Sequence, residues 1–258
     1  MKNVALITGA SSGIGLELAR IHANRGGDLI IVARREEQLH KLAAGLKAQH
    51  NTEVLVIAKD LSVANAADEL YQDIQARHID VEILINNAGY GGYGRFIERE
   101  WSKDKAMINV NVMALVTLTR LFLPDMVARR HGRILNVGSV GGFLPGPLQA
   151  VYYATKGFVL SFSQALANEL KGTGVTITVL CPGATRTGFA QTANMEDVPG
   201  FHLVEADASD VARFGYEAML AGKTTAVHGI VNKFFTEILR FIPRAGICLL
   251  SRAVVEKY

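Results

Sequence analysis

The sequence predicts one α/β domain built on a doubly wound parallel sheet, and three observations predict it. Short apolar runs alternate with helix-patterned stretches through most of the chain, the pattern of βαβ units. The first run, Val4-Ala5-Leu6-Ile7, ends at Thr8-Gly9-Ala10-Ser11-Ser12-Gly13-Ile14-Gly15 and a helical pattern follows, the order that a phosphate-cradling turn requires. The length of 258 residues, 49% hydrophobic and 20% charged, is enough for one such sheet with a large core.

In the first turn Gly9 allows the sharp bend, Gly13 lets backbone approach a pyrophosphate, and Gly15 lets the helix pack on the strand. The helix N-terminus behind them offers free N–H groups and the positive end of its dipole. No Gly-Lys-Ser/Thr follows, so this is not a P-loop. Leu29-Ile30-Ile31-Val32-Ala33 is the second strand and ends at Arg34-Arg35. An acidic residue at that edge would bind the ribose hydroxyls of NAD. Two arginines suit the 2′-phosphate of NADP instead, although Arg35 also begins the next helix. Val54 to Ala58 is the third strand, with Asp60 and Leu61 just past its end, and Leu70, Ile74 and Ile79 mark the following helix. Glu82 to Ile85 is the fourth, running into Asn86-Asn87-Ala88-Gly89, where small residues let a cofactor lie across the strand edge.

Glu98 to Arg130 reads as a long, interrupted helix, with Asn109 and Asn111 inside an apolar stretch where each amide needs a partner. Ile134 to Val137 is the fifth strand, ending at Gly138-Ser139, and Val151 to Lys171 the next long helix. Val175 to Leu180 is the sixth strand, stopped by Cys181-Pro182-Gly183. Ala184 to Asp207 is irregular, with Phe189, Met195, Phe201 and Leu203 in it; its part 184–206 reads as a substrate loop. Ser209 to Ala221 is a helix, Thr224 to His228 a last strand, and 230–258 a helical C-terminal extension.

Tyr152 and Lys156 stand four apart on one helix, which puts phenol and ammonium on one face. A cation there is expected to favour the phenolate and lower the tyrosine pKa towards the working range. Ser139, at a strand's C-terminal edge, can donate to a carbonyl oxygen held beside it. The net charge of +3 is dispersed, which gives no case for nucleic acid. Neither the two cysteines nor the seven histidines show metal-ligand spacing, so no metal is expected. Met1-Lys2-Asn3 leads straight into a strand, leaving no room for a signal peptide. No run reads as long enough to span a membrane, and the chain is expected to be cytoplasmic.

Taken together, these motifs resemble those of the short-chain dehydrogenase/reductase family, in its single-domain Rossmann-fold branch. The resemblance rests on Thr8 to Gly15, Asp60, Asn86 to Gly89, Asn111, Ser139, Tyr152 with Lys156, and Pro182-Gly183 with Thr185 and Thr187. It implies that Tyr152 is the general acid in carbonyl reduction and the base in alcohol oxidation. Lys156 would hold the nicotinamide ribose, Ser139 would polarise the substrate oxygen, and Asn111 would keep a water linking Lys156 to solvent. Asp60 and Leu61 would approach the adenine, and Asn87, Ala88 and Gly89 would line the cofactor. Thr187 would reach the nicotinamide carboxamide. The expected cofactor is NADP in preference to NAD, the partner a small lipophilic carbonyl or alcohol, and the assembly a homodimer or homotetramer. Two rivals are a β-ketoacyl-carrier-protein reductase, with Arg129, Arg130, His131 and Arg133 as a basic docking face, and a non-catalytic dinucleotide sensor. The tail carries an apolar stripe (Val231, Phe234, Phe235, Ile238, Leu239, Ile242) and a basic excess. Packing over the cleft or against a second subunit is favoured for it over a membrane interface.

Overall fold

The computed structural model describes residues 1–195 and 205–255. Its frame is a seven-stranded sheet in which every pairing is parallel. The strands are β1 (Val4–Thr8), β2 (Leu29–Ala33), β3 (Val54–Ala58), β4 (Val81–Asn86), β5 (Gly132–Val137), β6 (Val175–Cys181) and, after two short strands, β9 (Thr225–Val227). Their order is β3-β2-β1-β4-β5-β6-β9. The short strands, β7 (Thr185–Arg186) and β8 (Ala206–Asp207), pair with each other on either side of the irregular segment.

Successive side chains of a strand point to opposite faces, and here both faces are covered, which is why the strand sequences read as unbroken apolar runs. On one face α1 (Gly13–Asn24), α2 (Glu36–His50) and α8 (Ala208–Leu220) bury Leu18, Leu39, Leu46, Val211 and Met219 against Ile7, Ile31 and Ile85. On the other, α3 (Ala66–Gln75) and the helices that follow β4 bury Leu70, Ile74, Leu118 and Phe122 against Leu6, Ile30, Leu84 and Ile134. The edge strand β3 is only half-buried. Between α1 and α8 lies a buried polar fastening. His22 Nε2–H donates to the Asn3 carbonyl (2.7 Å), which leaves Nδ1 to accept from the Tyr216 hydroxyl (2.8 Å). β1 pairs with β2 on one side and with β4 on the other, and the chain winds outward from it in both directions. A crevice therefore opens beyond the carboxyl ends of β1 and β4.

Two sequence expectations need adjustment. The helix after β3 stops at Gln75, ahead of the left-handed turn at His78, so Ile79 packs against the core from outside it. The long interrupted helix is α4 (Trp101–Ile108) and α5 (Leu115–Ala128) joined by a π-helical segment, Asn109–Ala114. By length and composition the run Trp101–Ala128 would suffice to cross a membrane, against the expectation that no run would. Leu115, Leu118, Phe122 and Met126 pack one side of it into the fold. The helix α6 (Ala150–Glu169) follows β5, and α7 (Phe189–Ala193) lies in the irregular segment. The tail forms α9 (Ile230–Ile238), a 3-10 turn (Leu239–Phe241) and α10 (Arg244–Val255), with Pro243 between the last two as expected.

Candidate active site

A cavity of about 780 Å³ occupies the crevice. The β1–α1 turn forms its floor. Gly9 takes φ +69° while its N–H donates to the Val32 carbonyl (2.7 Å), and Gly13 takes φ +56° with Thr187 so close that a Cβ would lie 2.9 Å from its methyl. Gly15 is buried behind the turn, where a Cβ would meet Asn87 Nδ2 at 2.3 Å. Helix α1 starts with no side-chain cap and no acidic residue in its first turn, so its leading N–H groups face the cavity unneutralised. Thr8 lies beneath and does not line the cavity. Its hydroxyl donates towards the Ile85 carbonyl (3.3 Å) and accepts the Asn87 and Ala88 N–H groups (3.0 Å each), while Asn87 Nδ2 donates back to the Thr8 carbonyl (2.8 Å). These bonds tie the glycine turn to the end of β4.

The two arginines after β2 are not equivalent. Arg35 donates to Ser11 Oγ (3.0 Å) and Ser12 Oγ (2.6 Å) and braces the glycine turn. Arg34 lines the rim, exposed, and makes no hydrogen bond or ion pair among the described residues. Asp60 accepts from the N–H (2.9 Å) and hydroxyl (2.8 Å) of Ser62, fixing the loop after β3 with Leu61 beside it.

Asn111 is buried in the π-helical segment behind the cavity. Its Oδ1 accepts the Tyr90 N–H (3.1 Å), and its Nδ2 donates to the Tyr90 carbonyl and to Thr155 Oγ1 (3.0 Å each). Thr155 in turn donates to the Tyr152 carbonyl (2.7 Å), so one amide joins the loop after β4 to the helix that carries Tyr152. Asn109 bonds elsewhere, to the Ser62 carbonyl (2.9 Å). A second buried chain runs under the site: Asn86 donates to Asn136 (2.9 Å), and Asn136 to Ser163 (2.9 Å), linking β4, β5 and α6.

Ser139 leads a 3-10 turn after β5; its Oγ accepts the Gly141 N–H (3.0 Å), and its hydroxyl hydrogen-bonds Tyr152. The Tyr152 side chain is 9% exposed. Burial drives its phenol above the usual tyrosine range, and the hydrogen bond with Ser139 pulls the other way. Lys156, 6% exposed, donates from Nζ to the Val137 carbonyl (2.8 Å), and burial lowers its pKa to about 8. This differs from the expectation that Lys156 would bring the tyrosine down. The ammonium is drawn to a strand carbonyl, 5.9 Å from the Tyr152 ring centre, and desolvation of the phenolate dominates. In this state Tyr152 is a neutral phenol, the form that gives a proton.

The end of β6 closes the far wall with Pro182, Gly183 and Thr185, and Thr187 Oγ1 accepts the Phe189 N–H (3.2 Å). Phe189 lies against Tyr152, ring centres 5.2 Å apart, and is so close to Gly91 that a Cβ there would sit 2.6 Å from the ring. Met195 from the same segment lines the cavity, whereas Phe201 and Leu203 lie outside the described residues. Of the sequence-derived site residues only Thr8, Gly15 and Asn111 stand back from the cavity, each in contact with residues that line it.

Several contributors escaped the sequence reading, among them Tyr90, Gln149, Asn232 and Ser251. Asn232 sits so near Gly183 that a Cβ would be 2.5 Å from its amide, a pairing across 49 residues with no sequence signal. The tail does cover the cleft, through Phe235, Leu239 and Ile247. No group of His, Cys, Asp and Glu among the described residues is arranged to hold a metal.

The residues fit a nicotinamide dinucleotide. An uncapped helix start and a glycine turn without room for side chains suit its pyrophosphate, Arg34 a phosphate at the ribose end, and the Ser139–Tyr152–Lys156 group its reactive end.

Comparisons with known proteins agree with this geometry. A family model described as short chain dehydrogenase matches residues 3–197. The mouse very-long-chain 3-oxoacyl-CoA reductase is 35% identical over 191 residues, 72% of this chain and 61% of that protein. This chain thus spans about three fifths of that relative's length. A short-chain dehydrogenase of Sphingobium yanoikuyae, solved in complex with NADPH, superposes with a TM-score of 0.82 at 30% identity, covering 94% of this chain and 97% of the other. The bulky-bulky ketone specific alcohol dehydrogenase of Comamonas testosteroni superposes with a TM-score of 0.78 at 28% identity, covering 94% and 96%.

Proposed function

The chain belongs to the short-chain dehydrogenase/reductase family, and we propose that it is an NADP(H)-dependent oxidoreductase interconverting a lipophilic ketone or aldehyde with its alcohol. One observation carries this reading. Ser139, Tyr152 and Lys156 meet at a single cavity whose wall beyond Tyr152 is apolar, built from Phe189, Met195, Phe235, Leu239 and Ile247. The names of the relatives, one acting on very-long-chain 3-oxoacyl-CoA and another on bulky ketones, support the same substrate class.

The bound dinucleotide supplies or accepts the hydride. The chain's own residues handle the oxygen and its proton. Ser139, its Oγ already occupied by the Gly141 N–H, donates its proton to the carbonyl oxygen and polarises it. Tyr152, buried and protonated, gives its proton to that oxygen as negative charge develops there. Lys156, held by the Val137 carbonyl one helical turn from Tyr152, is the cation that stabilises the phenolate left behind. Phe189 and the tail exclude water from this exchange. In the oxidative direction the same groups run in reverse, Tyr152 as base. The carrier-protein alternative loses its basic face, because Arg129, Arg130, His131 and Arg133 lie at the amino end of β5, across the sheet from the cavity. The deciding experiment follows nicotinamide absorbance with a panel of ketones, aldehydes and secondary alcohols graded by apolar bulk. Activity rising with bulk supports the proposal; activity with none of the panel overturns it.

A further inference from the structure

Helix α9 has two apolar faces. Phe235 faces the cavity, with Asn232 beside it and Leu239 just beyond the helix end, while Ile230, Val231, Phe234 and Ile238 stand in solvent. The 3-10 turn adds Phe241 and α10 adds Leu249, so that large apolar side chains as exposed as Ile230 (86%), Phe234 (69%) and Phe241 (85%) gather on one short stretch. A soluble surface tolerates such residues singly; gathered, they mark a contact. The same stretch is basic. Residues 230–258 carry five Lys or Arg (Lys233, Arg240, Arg244, Arg252, Lys257) against two Glu (Glu237, Glu256), in a chain of net charge +3.

We propose that this outer face rests on an anionic phospholipid bilayer, with the apolar side chains in the headgroup boundary and Lys233 against lipid phosphates. The charge decides between occupants. A second copy docking by two-fold symmetry would set one basic tail against another, whereas an anionic lipid surface complements both the apolar face and its charge. The surface arrangement accounts for an exposed face that the expectation of packing over the cleft leaves unexplained: the helix covers the cavity with one side and meets the bilayer with the other. On the reading of the cavity given above, it places the mouth of an apolar site beside the phase where lipophilic carbonyls dissolve.

The test is flotation of the full-length protein with phosphatidylcholine vesicles, with and without phosphatidylglycerol, for wild type, Phe234→Glu/Phe241→Glu, Lys233→Glu and, as a control on another exposed aromatic, Phe96→Glu. Wild type and Phe96→Glu should float with the phosphatidylglycerol vesicles and less with phosphatidylcholine alone. The double variant should lose binding by about tenfold or more, and Lys233→Glu by a smaller factor. Circular dichroism establishes that each variant is folded. Wild type remaining below the vesicles, or a double variant floating as well as wild type, overturns the proposal. So does a wild type that ignores lipid while the double variant turns a dimer into monomers in sedimentation, which would make the face a subunit contact. No turnover is measured, so failure here leaves the oxidoreductase reading untouched.

Discussion

Replacing Arg34 and Arg35 one at a time separates coenzyme selection from the shape of the phosphate turn. The two guanidiniums are neighbours in sequence, yet Arg35 is held by Ser11 and Ser12 while Arg34, at the rim, makes no hydrogen bond or ion pair among the described residues. On the proposed assignment Arg34→Ala removes one charge-assisted contact to a 2′-phosphate, worth about 1.5–3 kcal/mol. NADPH affinity should therefore fall about tenfold to a hundredfold, towards the lower figure as salt rises, because the site is exposed. NADH, lacking that phosphate, should bind as before. Arg35→Ala frees two serine hydroxyls and loosens the turn that holds the pyrophosphate, so it should weaken NADPH and NADH by similar factors. Fluorescence titration of both reduced coenzymes into the three proteins measures all six constants. A wild type that binds the two coenzymes equally, or an Arg34→Ala variant that loses both in parallel, refutes the assignment of Arg34.

Tyr152→Phe should abolish turnover on the best substrate and leave the NADPH dissociation constant within about twofold, whereas Lys156→Ala should impair both; stopped assays and titration together check this. His22 is held neutral by burial, with a pKa below the ordinary 6.5, so the unfolded chain binds more protons than the folded one in acid. Its contribution is thus present above about pH 6.5 and lost as pH falls through the folded pKa. The urea midpoint should drop between neutral pH and about pH 5, less steeply in His22→Gln. Asp104→Ala breaks the pair with Arg99 (2.6 Å), leaving a largely buried guanidinium that also holds the Tyr93 carbonyl (3.0 Å). It should cost about 3 kcal/mol in urea unfolding and loosen the loop against Phe189, and a loss under about 0.5 kcal/mol would contradict that role.

The sheet was legible because each strand is a short apolar run that stops at small or polar residues, Thr8-Gly9 after β1 and Asn86-Asn87 after β4. That Ser139, Tyr152 and Lys156 meet at one cavity was legible for the same reason: Ser139 sits at a strand end, and Tyr152 and Lys156 one turn apart on a helix. What the sequence hid is tertiary. Helical spacing pairs Tyr152 with Lys156, but only the fold shows that the Val137 carbonyl takes the ammonium and that burial raises the phenol. Strand-end position singles out Arg34, but nothing local foretells that Arg35 is tied up by serines 23 residues or more away. Val179 and Ala226 face the interior as their strands require, yet no pattern foretells that Asn232 will fill the space beside Gly183.

The π-helical segment Asn109–Ala114 carries a consequence for how this chain can change. A wider turn holds one residue more than an α-turn over the same rise, and each residue of an α-helix turns the chain by about 100°. Deleting a single residue there would let the segment relax into regular helix with α4 and α5 still in phase, and would re-aim the side chains inside the segment, Asn111 among them. Asn111 would then no longer face both Tyr90 and Thr155, although every amino acid of the clamp was still encoded. Along this stretch the number of residues is constrained more tightly than most of their identities. Met113 is exposed and open to exchange, whereas a one-codon deletion ahead of Asn111 should abolish the proposed activity.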